Sequence, residues 1–278
     1  MRKLLLLVLI FVSAVSVSFS QPLDTLYKKG NDAIRSNNFE TALSYFNIIV
    51  KKNPGESSAY NSIGFIYLMM KNYDNAIENF NKAIDLDSNY ERAYSNRGTT
   101  YLLKNDVENA YKDLNKALSI EPKDLIALNS LGTLYGYLSK VNEAIEIFNR
   151  AEEIDPMAVD TYWNRGALYM NLDKYEEALV DANKAINANP SIAKSYYFRG
   201  TIYKYLKKYN EAMEDYKKAL DLDSSDGEIY IRRGILYLAM GEYKLAVDDM
   251  EYGLKLKPEL KEDKTVSDYL KEAKGKLK

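Results

Sequence analysis

Two residue types that carry much of enzyme chemistry are missing from this 278-residue chain, which has no cysteine and no histidine. Their absence removes the thiol nucleophile, the commonest general base and the commonest transition-metal ligands. It also excludes disulfides and the lipid-modified type of bacterial export signal, which requires a cysteine. We therefore expect a protein that is not an enzyme and that needs no cofactor or metal ion.

An excess of positive charge is missing too, because 38 Lys and Arg stand against 40 Asp and Glu. The basic residues form no stripe, so we do not expect nucleic acid as a partner. No stretch shows a sustained alternation of polar and apolar residues, so strands are not expected. These absences favour an all-α protein that binds other molecules without covalent chemistry.

Only one long apolar run is present, and it lies at the N-terminus. Arg2 and Lys3 precede it and a small-x-small motif follows at residues 18–20, which is typical of a secretory signal peptide over residues 1–20. Cleavage would begin the mature chain at Gln21 and export it to the periplasm or the outside. The alternative is an uncleaved anchor, which needs about 20 apolar residues, more than this run provides. Such an anchor would be the chain's expected contact with a membrane.

A glycine recurs every 34 residues through most of the chain. The seven copies are Gly30, Gly64, Gly98, Gly132, Gly166, Gly200 and Gly234. Glycine inside a helix costs about 1 kcal/mol relative to alanine, so its strict recurrence predicts stacked repeats in which two backbones approach at this point.

Each 34-residue repeat has the pattern of a helical hairpin. When positions are counted from Leu23, the glycine is at position 8, and a large residue at position 4 and tyrosine at position 11 share its helical face from the second repeat onward. Position 20 is alanine in every repeat: Ala42, Ala76, Ala110, Ala144, Ala178, Ala212 and Ala246. A second helix therefore presents small residues to the first.

The limits of the helices are also visible in the sequence. Seven residues are predicted to interrupt the hairpins: Asn37, Lys71, Asn105, Ser139, Asp173, Lys207 and Gly241. Proline closes five of the seven repeats, at Pro54, Pro122, Pro156, Pro190 and Pro258, where it ends a helix or opens the next connection.

This pattern resembles the tetratricopeptide repeat family. One repeat carries the family's hallmark as Tyr162, Arg165, Gly166, Tyr169, Ala178, Ala182, Ala185 and Pro190. The resemblance implies an all-α fold, an α-solenoid that forms a right-handed superhelix of seven hairpins with a concave groove lined by the first helices. The repeats would occupy residues 23–56, 57–90, 91–124, 125–158, 159–192, 193–226 and 227–260, within a repeat domain over residues 21–258.

After Pro258 the repeat pattern stops, and residues 259–278 are expected to form a helix that caps the last repeat. Thr265 and Asp268 have the spacing of a capping box, and Val266 and Leu270 follow at helical spacing. An alternative role for the lysines of this segment is contact with an acidic membrane surface or partner.

Four repeats carry an arginine before the glycine, and the same four carry an aspartate sixteen residues later. The pairs are Arg97 with Asp113, Arg165 with Asp181, Arg199 with Asp215, and Arg233 with Asp249. This co-occurrence predicts ion pairs between the first and second helices. The functional alternative is a row of charged sites, but a structural role is favoured because the arginine lies beside the glycine and away from the groove.

By helical offset, positions 2, 5, 6, 9, 12 and 13 of the first helices should face the groove. In repeats four to seven the candidate binding residues are Asn129, Thr133, Tyr137, Trp163, Asn164, Lys194, Tyr197, Phe198, Thr201, Lys204, Tyr205, Arg232 and Ile235. Aromatic residues among amides and cations are typical of peptide-binding hot spots. The alternative is that Trp163, Tyr197 and Phe198 fill the junctions between repeats.

The sequence therefore predicts an exported scaffold that binds a peptide or protein segment, of unknown identity, in its groove. The alternative function is a carbohydrate or cell-wall-binding module that uses the same aromatic residues. Some members of the family grip the C-terminal carboxylates of chaperones, but that set is incomplete here, because Tyr27 replaces its first lysine and Phe198 its arginine.

Overall fold

The computed structural model describes residues 21–277, so the predicted signal peptide lies outside the described residues. This part of the chain contains fifteen α-helices, one short 3-10 helix and no strand, which confirms the all-α prediction. Contacts divide the chain into two units, Met1–Leu134 and Tyr135–Lys278. Each unit is described separately.

Three complete hairpins lie in the first unit, and each joins a first helix of 13 residues to a second helix of 14. Contacts within each hairpin, and from the second helices of the first two hairpins to the next first helix, stack the three hairpins in chain order. The helices are α1 Leu23–Arg35, α2 Phe39–Lys52, α3 Ser57–Met69, α4 Tyr73–Leu86, α5 Glu91–Leu103 and α6 Val107–Ile120; α7, Leu125–Tyr137, begins in this unit and ends in the second.

The second unit continues the same alternation of first and second helices. From α9 to α14, each helix contacts the next one in the chain. The helices are α8 Val141–Ile154, α9 Val159–Asn171, α10 Tyr175–Ala188, α11 Ala193–Tyr205, α12 Tyr209–Leu222, α13 Gly227–Ala239, α14 Tyr243–Leu256, the 3-10 helix Pro258–Glu262 and α15 Lys264–Lys276.

The turn inside each hairpin depends on one residue in the left-handed conformation. The seven predicted break residues all have positive φ, from 55° to 62° in the six non-glycine cases and 83° at Gly241. In the first hairpin the N–H of Asn37 donates to the carbonyl of Ile34, and that of Asn38 donates to Ala33. These are the bonds of a Schellman motif, which satisfies the last carbonyls of the helix. The predicted breaks are therefore confirmed.

The repeated glycine mainly makes room for a side chain. A Cβ added at Gly64 would lie 2.6 Å from the Phe80 ring, while the nearest backbone atom, the Ala76 carbonyl oxygen, would be 3.1 Å away. At Gly30 the nearest atom would be in the Phe46 ring, at 2.7 Å. The expectation of two closely approaching backbones is thus too narrow, because a large residue at position 24 of the second helix occupies much of the space.

Direct backbone contact does occur in the seventh repeat. Gly253 stands where most repeats have alanine at position 27. A Cβ on Gly253 would collide with the carbonyl oxygen of Gly227, and a Cβ on Gly227 would collide with that of Gly253. Because both positions lack a side chain, α13 and α14 approach more closely than an alanine would permit.

The C-terminal helix α15 packs against the last hairpin. Val266 and Ala273 are buried, and the helix contacts both α13 and α14. Its N-cap differs from the prediction, because the Asp263 carboxylate accepts hydrogen bonds from the N–H groups of Thr265 and Val266. Thr265 therefore lies inside the helix, one position after its first residue, and does not form the expected capping box.

Among residues 21–277, no helix has both the length and the apolar character required to cross a membrane.

Candidate functional site

The four predicted Arg–Asp pairs are present. In each, Nε and Nη2 of the arginine donate to the two carboxylate oxygens over 2.6–2.9 Å, for Arg97–Asp113 in the first unit and for Arg165–Asp181, Arg199–Asp215 and Arg233–Asp249 in the second. This two-point geometry is the strongest form of the interaction. The pairs connect first to second helices, which confirms the structural interpretation.

A third partner of these arginines was missed in the sequence. Nη1 of Arg165 donates to Asn149 Oδ1 over 2.6 Å, and Arg97 and Arg199 make the equivalent bond to an asparagine sixteen residues upstream. Each asparagine belongs to the preceding repeat, so the arginine joins two repeats. The signal was available, because the asparagine precedes three of the four arginines at the same interval, and Lys217 replaces it before Arg233.

Arg165 has the richest of these networks. Its Nη2 also donates to Glu152 over 2.7 Å, and Glu152 accepts a further bond from Lys184. Burial acts to lower the pKa of Arg165, but its hydrogen bonds to Asp181 and Glu152 and the charges of both carboxylates outweigh burial and raise the pKa above its ordinary value. The guanidinium therefore stays charged inside the unit.

Two of the predicted groove residues belong to the first unit, on α7. Thr133 is exposed, and its hydroxyl donates to the carbonyl oxygen of Asn129. Asn129 itself is only 9% exposed. The prediction of a groove-facing side chain therefore does not match Asn129, which lies among the buried residues of its helix.

Polar side chains connect successive first helices in the first unit, a feature that sequence reasoning missed. The hydroxyls of Tyr27 and Ser58 are 2.6 Å apart, and those of Thr99 and Ser130 are 2.7 Å apart. Both pairs are 31 residues apart, which indicates that position i of one first helix meets position i+31 on the next. An interval of 35 also brings side chains together, since Asn96 donates to Asn61 over 2.9 Å.

The same intervals bring aromatic rings and cations together in the second unit. Lys194, 31 residues after Trp163, places its Nζ 4.0 Å from the centroid of the indole. Arg232, 35 residues after Tyr197, lies 5.8 Å from the centroid of its ring. Cation–π contacts of this kind contribute about 0.5–2 kcal/mol. The two aromatic residues are thus held by cations of the next repeat.

Trp163 and Tyr197 are both half-buried. The indole Nε1 of Trp163 is buried and has no hydrogen-bond partner among residues 21–277. Burial raises the pKa of Tyr197 to about 12, and the charge of Glu228 acts in the same direction. Tyr197 therefore keeps its hydroxyl proton at neutral pH.

Phe198 fills a hole inside the second unit. Position 24 carries a small residue in the fifth repeat, Ala182, where other repeats have a large one. A Cβ added at Gly166 would meet the Phe198 ring of the following repeat at 3.0 Å, and Phe198 packs against the cluster that contains Ala182. Of the two interpretations, filling a junction between repeats describes Phe198, and groove contact does not.

Thr201 is a second predicted groove residue that the structure buries, with 7% of its surface exposed. Its hydroxyl lies 2.8 Å from the carbonyl oxygen of Tyr197, to which it donates, and 3.0 Å from the hydroxyl of Tyr216. Tyr216 occupies the large position 24 of this repeat and needs a polar partner for its buried hydroxyl. Thr201 supplies that partner instead of facing a ligand.

The remaining candidates are accessible to different degrees. Tyr137 is 64% exposed, and Lys194 is exposed as well. Tyr205 is also exposed, and its ring stacks on that of Tyr175 with centroids 5.1 Å apart. The half-buried members are Asn164, Lys204, Arg232 and Ile235.

Arg232 and Lys204 are the two half-buried cations among these candidates. Its Nε and Nη2 donate to Glu228 Oε1 over 3.1 and 2.6 Å. Lys204, also half-buried, has its Nζ 4.5 Å from the centroid of the Tyr205 ring. The second unit therefore presents a groove patch, which we define as Trp163, Lys194, Tyr197, Lys204 and Arg232.

Within residues 21–277, no cluster of acidic residues is arranged to hold a metal ion.

Comparison with known proteins identifies the family. Models described as "Tetratricopeptide repeat" match residues 57–90, 91–124, 159–192, 193–226 and 227–260, and a model described as "TPR repeat" matches residues 137–173. Together they cover more than half of the chain. The chain belongs to the tetratricopeptide repeat family. None of the curated proteins compared with it is similar.

Solved structures agree on the fold. A tetratricopeptide repeat protein from Parabacteroides merdae has 21% identity and a TM-score of 0.66, with 90% of this chain and 98% of that one covered. The Cut9–Hcn1 assembly of APC/C gives 18% identity and a TM-score of 0.69 over 93% of this chain and 48% of that one. PilF of Pseudomonas aeruginosa gives 17% and 0.58 over 73% and 92%. At these identities the likeness shows the α-solenoid fold alone.

Proposed function

We propose that this protein is an exported scaffold, without catalytic activity, that binds a peptide or protein segment on the groove side of its first helices. Family membership supports a role in protein–protein interaction, since tetratricopeptide repeats are a scaffold for binding. The groove patch of the second unit is the surface we assign to the ligand.

The groove patch carries this proposal. A bound segment needs large rigid side chains for contact and polar groups that select it. Trp163 and Tyr197 are half-buried rings fixed by Lys194 and Arg232.

The carbohydrate alternative is less well supported by the same residues. A sugar ring stacks on an exposed aromatic face, but the Trp163 ring already has the Lys194 ammonium 4.0 Å from its centroid, and Tyr205 stacks on Tyr175. Binding to a glycan array that persists in excess peptide would favour this alternative over a peptide ligand.

Export is proposed from the sequence of the first twenty residues. Mass spectrometry of the protein purified from its host should find a mature chain that starts at Gln21, in the periplasm or the medium. Recovery of the intact N-terminus from the membrane fraction would support the retained anchor instead.

Photocrosslinking tests the binding site directly. A crosslinking amino acid placed at Trp163 or Tyr197 in the native host should capture a defined protein, which mass spectrometry then identifies. Trp163→Ala should weaken binding of that protein about 30-fold, the effect of losing a hot spot of about 2 kcal/mol, with unchanged helicity.

Tyr252 provides the matched control, because it is an exposed tyrosine on a second helix. A crosslinker there should not capture the same protein, and Tyr252→Ala should leave its affinity unchanged. Equal capture from Tyr252 and from the groove patch would contradict the proposed site.

A further inference from the structure

The C-terminal helix α15 packs as the first helix of a further repeat would pack. It contacts α14 and α13, just as α13 contacts α12 and α11 of the preceding repeat. When positions are counted from Lys264, the buried residues Val266 and Ala273 lie at positions 3 and 10. The same two positions are buried in the first helices α11 and α13, where they are Ser195, Ile202, Ile229 and Leu236.

In a complete hairpin, another face of the first helix is covered by the second helix, and that face includes positions 7 and 8. In the sixth repeat Arg199 donates to Asp215 of α12, and a Cβ on the adjacent Gly200 would lie 3.2 Å from the Ala212 carbonyl oxygen. Positions 4 and 11 lie on the same side of the helix. In α15 these four positions are Ser267, Leu270, Lys271 and Lys274, and within residues 21–277 no further helix follows to cover them.

An open groove lies along this face of α15. It consists of two adjoining depressions of about 500 and 480 Å³, which share Ser267 and Leu270. Leu254 of α14 is buried and Leu270 is half-buried, so these two residues form the apolar floor. The exposed lining residues are Glu251, Lys255, Pro258, Lys261, Ser267, Lys271, Lys274 and Gly275. The groove, which we call the terminal groove, therefore lies where the second helix of a hairpin would pack.

The rim of the terminal groove is positively charged, although acidic residues outnumber basic ones in the whole chain. Glu251 is the single acidic residue of the lining, and its Oε1 is already 2.7 Å from Lys274 Nζ. Lys255, Lys261 and Lys271 have no carboxylate partner in the part of the chain that the structure describes. An occupant that complements this groove carries negative charge at its edges and apolar side chains against the floor.

We propose that the terminal groove binds an acidic amphipathic helix of a partner protein, in the place that the second helix takes in a complete hairpin. Its apolar stripe packs on Leu254 and Leu270, and Asp or Glu side chains beside the stripe pair with Lys255, Lys261 and Lys271. A flat lipid surface would meet the exposed lysines but not the two leucines below them. The site is separate from the groove patch and does not depend on the proposed function.

Selection from a phage-displayed peptide library tests the terminal groove. The probe is a library of alanine-rich peptides of about 20 residues, long enough to form a helix, with one helical face randomised. Selection on the full chain should enrich apolar residues at helical spacing with Asp or Glu beside them. A selected peptide should lose affinity about 30-fold for the double variant Lys255→Glu with Lys271→Glu, because two attractions become repulsions. Changing its acidic residues to lysine should restore binding to that variant.

The matched control is Lys217→Glu with Lys218→Glu, which makes the same change of charge at exposed sites on α12. It should leave the affinity for the selected peptide unchanged. Trp163→Ala in the groove patch should leave it unchanged as well, which separates this site from the proposed function. A peptide that loses affinity for Trp163→Ala but not for the Lys255 and Lys271 variant would overturn the assignment.

Disulfide trapping locates the bound helix. Because the chain has no cysteine, Ser267→Cys introduces a single thiol at a residue that lines both depressions. In a glutathione redox buffer, a selected peptide with cysteine in place of one apolar residue should form a disulfide with this variant. Ser119→Cys, at an exposed serine on α6, is the control. Equal trapping at both positions would contradict the proposed site.

The other outcomes also decide the proposal. Failure to enrich any peptide, or enrichment of peptides without acidic residues, would overturn the acidic helix as the occupant and leave the proposed function standing. Vesicles of phosphatidylcholine and phosphatidylglycerol provide the lipid comparison. Binding to them that is lost in the Lys255 and Lys271 variant, with no peptide enriched, would assign the groove to a membrane surface instead.

Discussion

The two units use the same helical hairpin but stabilise it with different side-chain interactions. In the first unit the second helices begin with a side-chain cap, since Asn38, Asn72 and Asp106 each accept from an N–H three residues later. In the second unit the equivalent residues, Lys140, Lys174, Lys208 and Glu242, make no such bond. The second unit has three of the four Arg–Asp pairs instead. One backbone therefore tolerates two sets of local interactions.

The groove sides differ in the same way. Hydroxyl and amide groups bond to one another across the first helices of the first unit. In the second unit the same intervals join aromatic rings to cations. Polar groups that bond to one another have fewer hydrogen bonds to offer a ligand, whereas large rings beside cations offer contact area and charge. This difference is the reason for assigning the proposed binding surface to the second unit.

The largest expected effect concerns the Arg–Asp network. Arg165→Leu should lower the free energy of unfolding by about 3–5 kcal/mol, because it leaves the Asp181 carboxylate buried without its partner. Arg97→Leu in the first unit should cost less, since the Arg97 side chain is 17% exposed against 6% for Arg165. Urea unfolding followed by circular dichroism measures both.

The fourth repeat supplies the control, with Leu131 and Ile147 at the two positions. The double variant Arg165→Leu with Asp181→Ile should recover most of the lost stability, because apolar residues replace both charges. An unchanged unfolding midpoint for Arg165→Leu alone would dismiss the pair as a stabilising interaction.

The second prediction concerns Phe198, which fills the space left by the small residue Ala182. Phe198→Asn, the residue at this position in the third and fifth repeats, should cost about 2–4 kcal/mol because it opens a cavity over Gly166. Adding Ala182→Phe should restore part of the stability by filling the space as Phe80 does over Gly64. Thermal unfolding of the single and double variants measures the energetic coupling between residues 182 and 198. Additive effects would refute the idea that Phe198 fills the space left by Ala182.

Glycine-to-alanine substitutions should change the free energy of unfolding by different amounts in the two units. Gly64→Ala should cost about 1–2 kcal/mol, because the new Cβ would lie 2.6 Å from the Phe80 ring and overpacking exceeds the gain in helix propensity. Gly200→Ala should cost less, since its closest contact would be 3.2 Å. Urea midpoints of both variants test this, and equal losses would mean that backbone approach and not side-chain volume sets the requirement.

A phenol at position 24 distinguishes Tyr216 from Phe46 and Phe80 of the first unit. Burial raises the pKa of Tyr216 to about 12 against an ordinary value of 10. The unfolded tyrosine ionises near pH 10 while the folded one stays protonated, so its contribution is complete below pH 10 and is lost as the pH rises through 12. Tyr216→Phe should cost about 1 kcal/mol at pH 8 through the lost hydrogen bond.

Urea unfolding between pH 8 and 11.5 measures this effect. The variant should lose stability less steeply than the wild type above pH 10. An identical slope for the two proteins would show that Tyr216 ionises equally in the folded and unfolded chains.

The smallest effect concerns the helix caps. Lys174→Asn should raise the free energy of unfolding by about 0.5–1 kcal/mol by giving α10 the cap that α4 has at Asn72. The reverse change, Asn72→Lys, should cost a similar amount. Differential scanning calorimetry compares the variants, and no gain for Lys174→Asn would indicate that the turn of the second unit does not admit a cap.

Much of the fold was predictable because its signals are repeated within the chain. The glycine interval, the break residues and the four Arg–Asp pairs recur at fixed spacing, so each repeat supports the interpretation of the others. Features that occur only once in the chain were predicted less accurately than the repeated ones. Thr265 matched a capping box, yet Asp263 caps the helix, because several residues near a helix start compete for the same N–H groups.

The candidate site was predictable only in part. Offsets along one helix placed Thr201 and Phe198 on the groove side, but Thr201 is buried and Phe198 fills the space over Gly166. Their roles depend on Tyr216 and Ala182, residues of neighbouring helices that no pattern within the first helix reports. The pairing intervals of 31 and 35 residues became visible only when the contacts were known.

The sequence alone determined the repeating hairpin and its internal ion pairs, because local spacing decides which residues share a helical face. Tertiary structure decided which large side chain fills the glycine gaps and which polar groups find partners across repeats. These outcomes depend on volume and side-chain direction at the contact between two helices, so they are properties of neighbouring repeats together and not of either repeat alone.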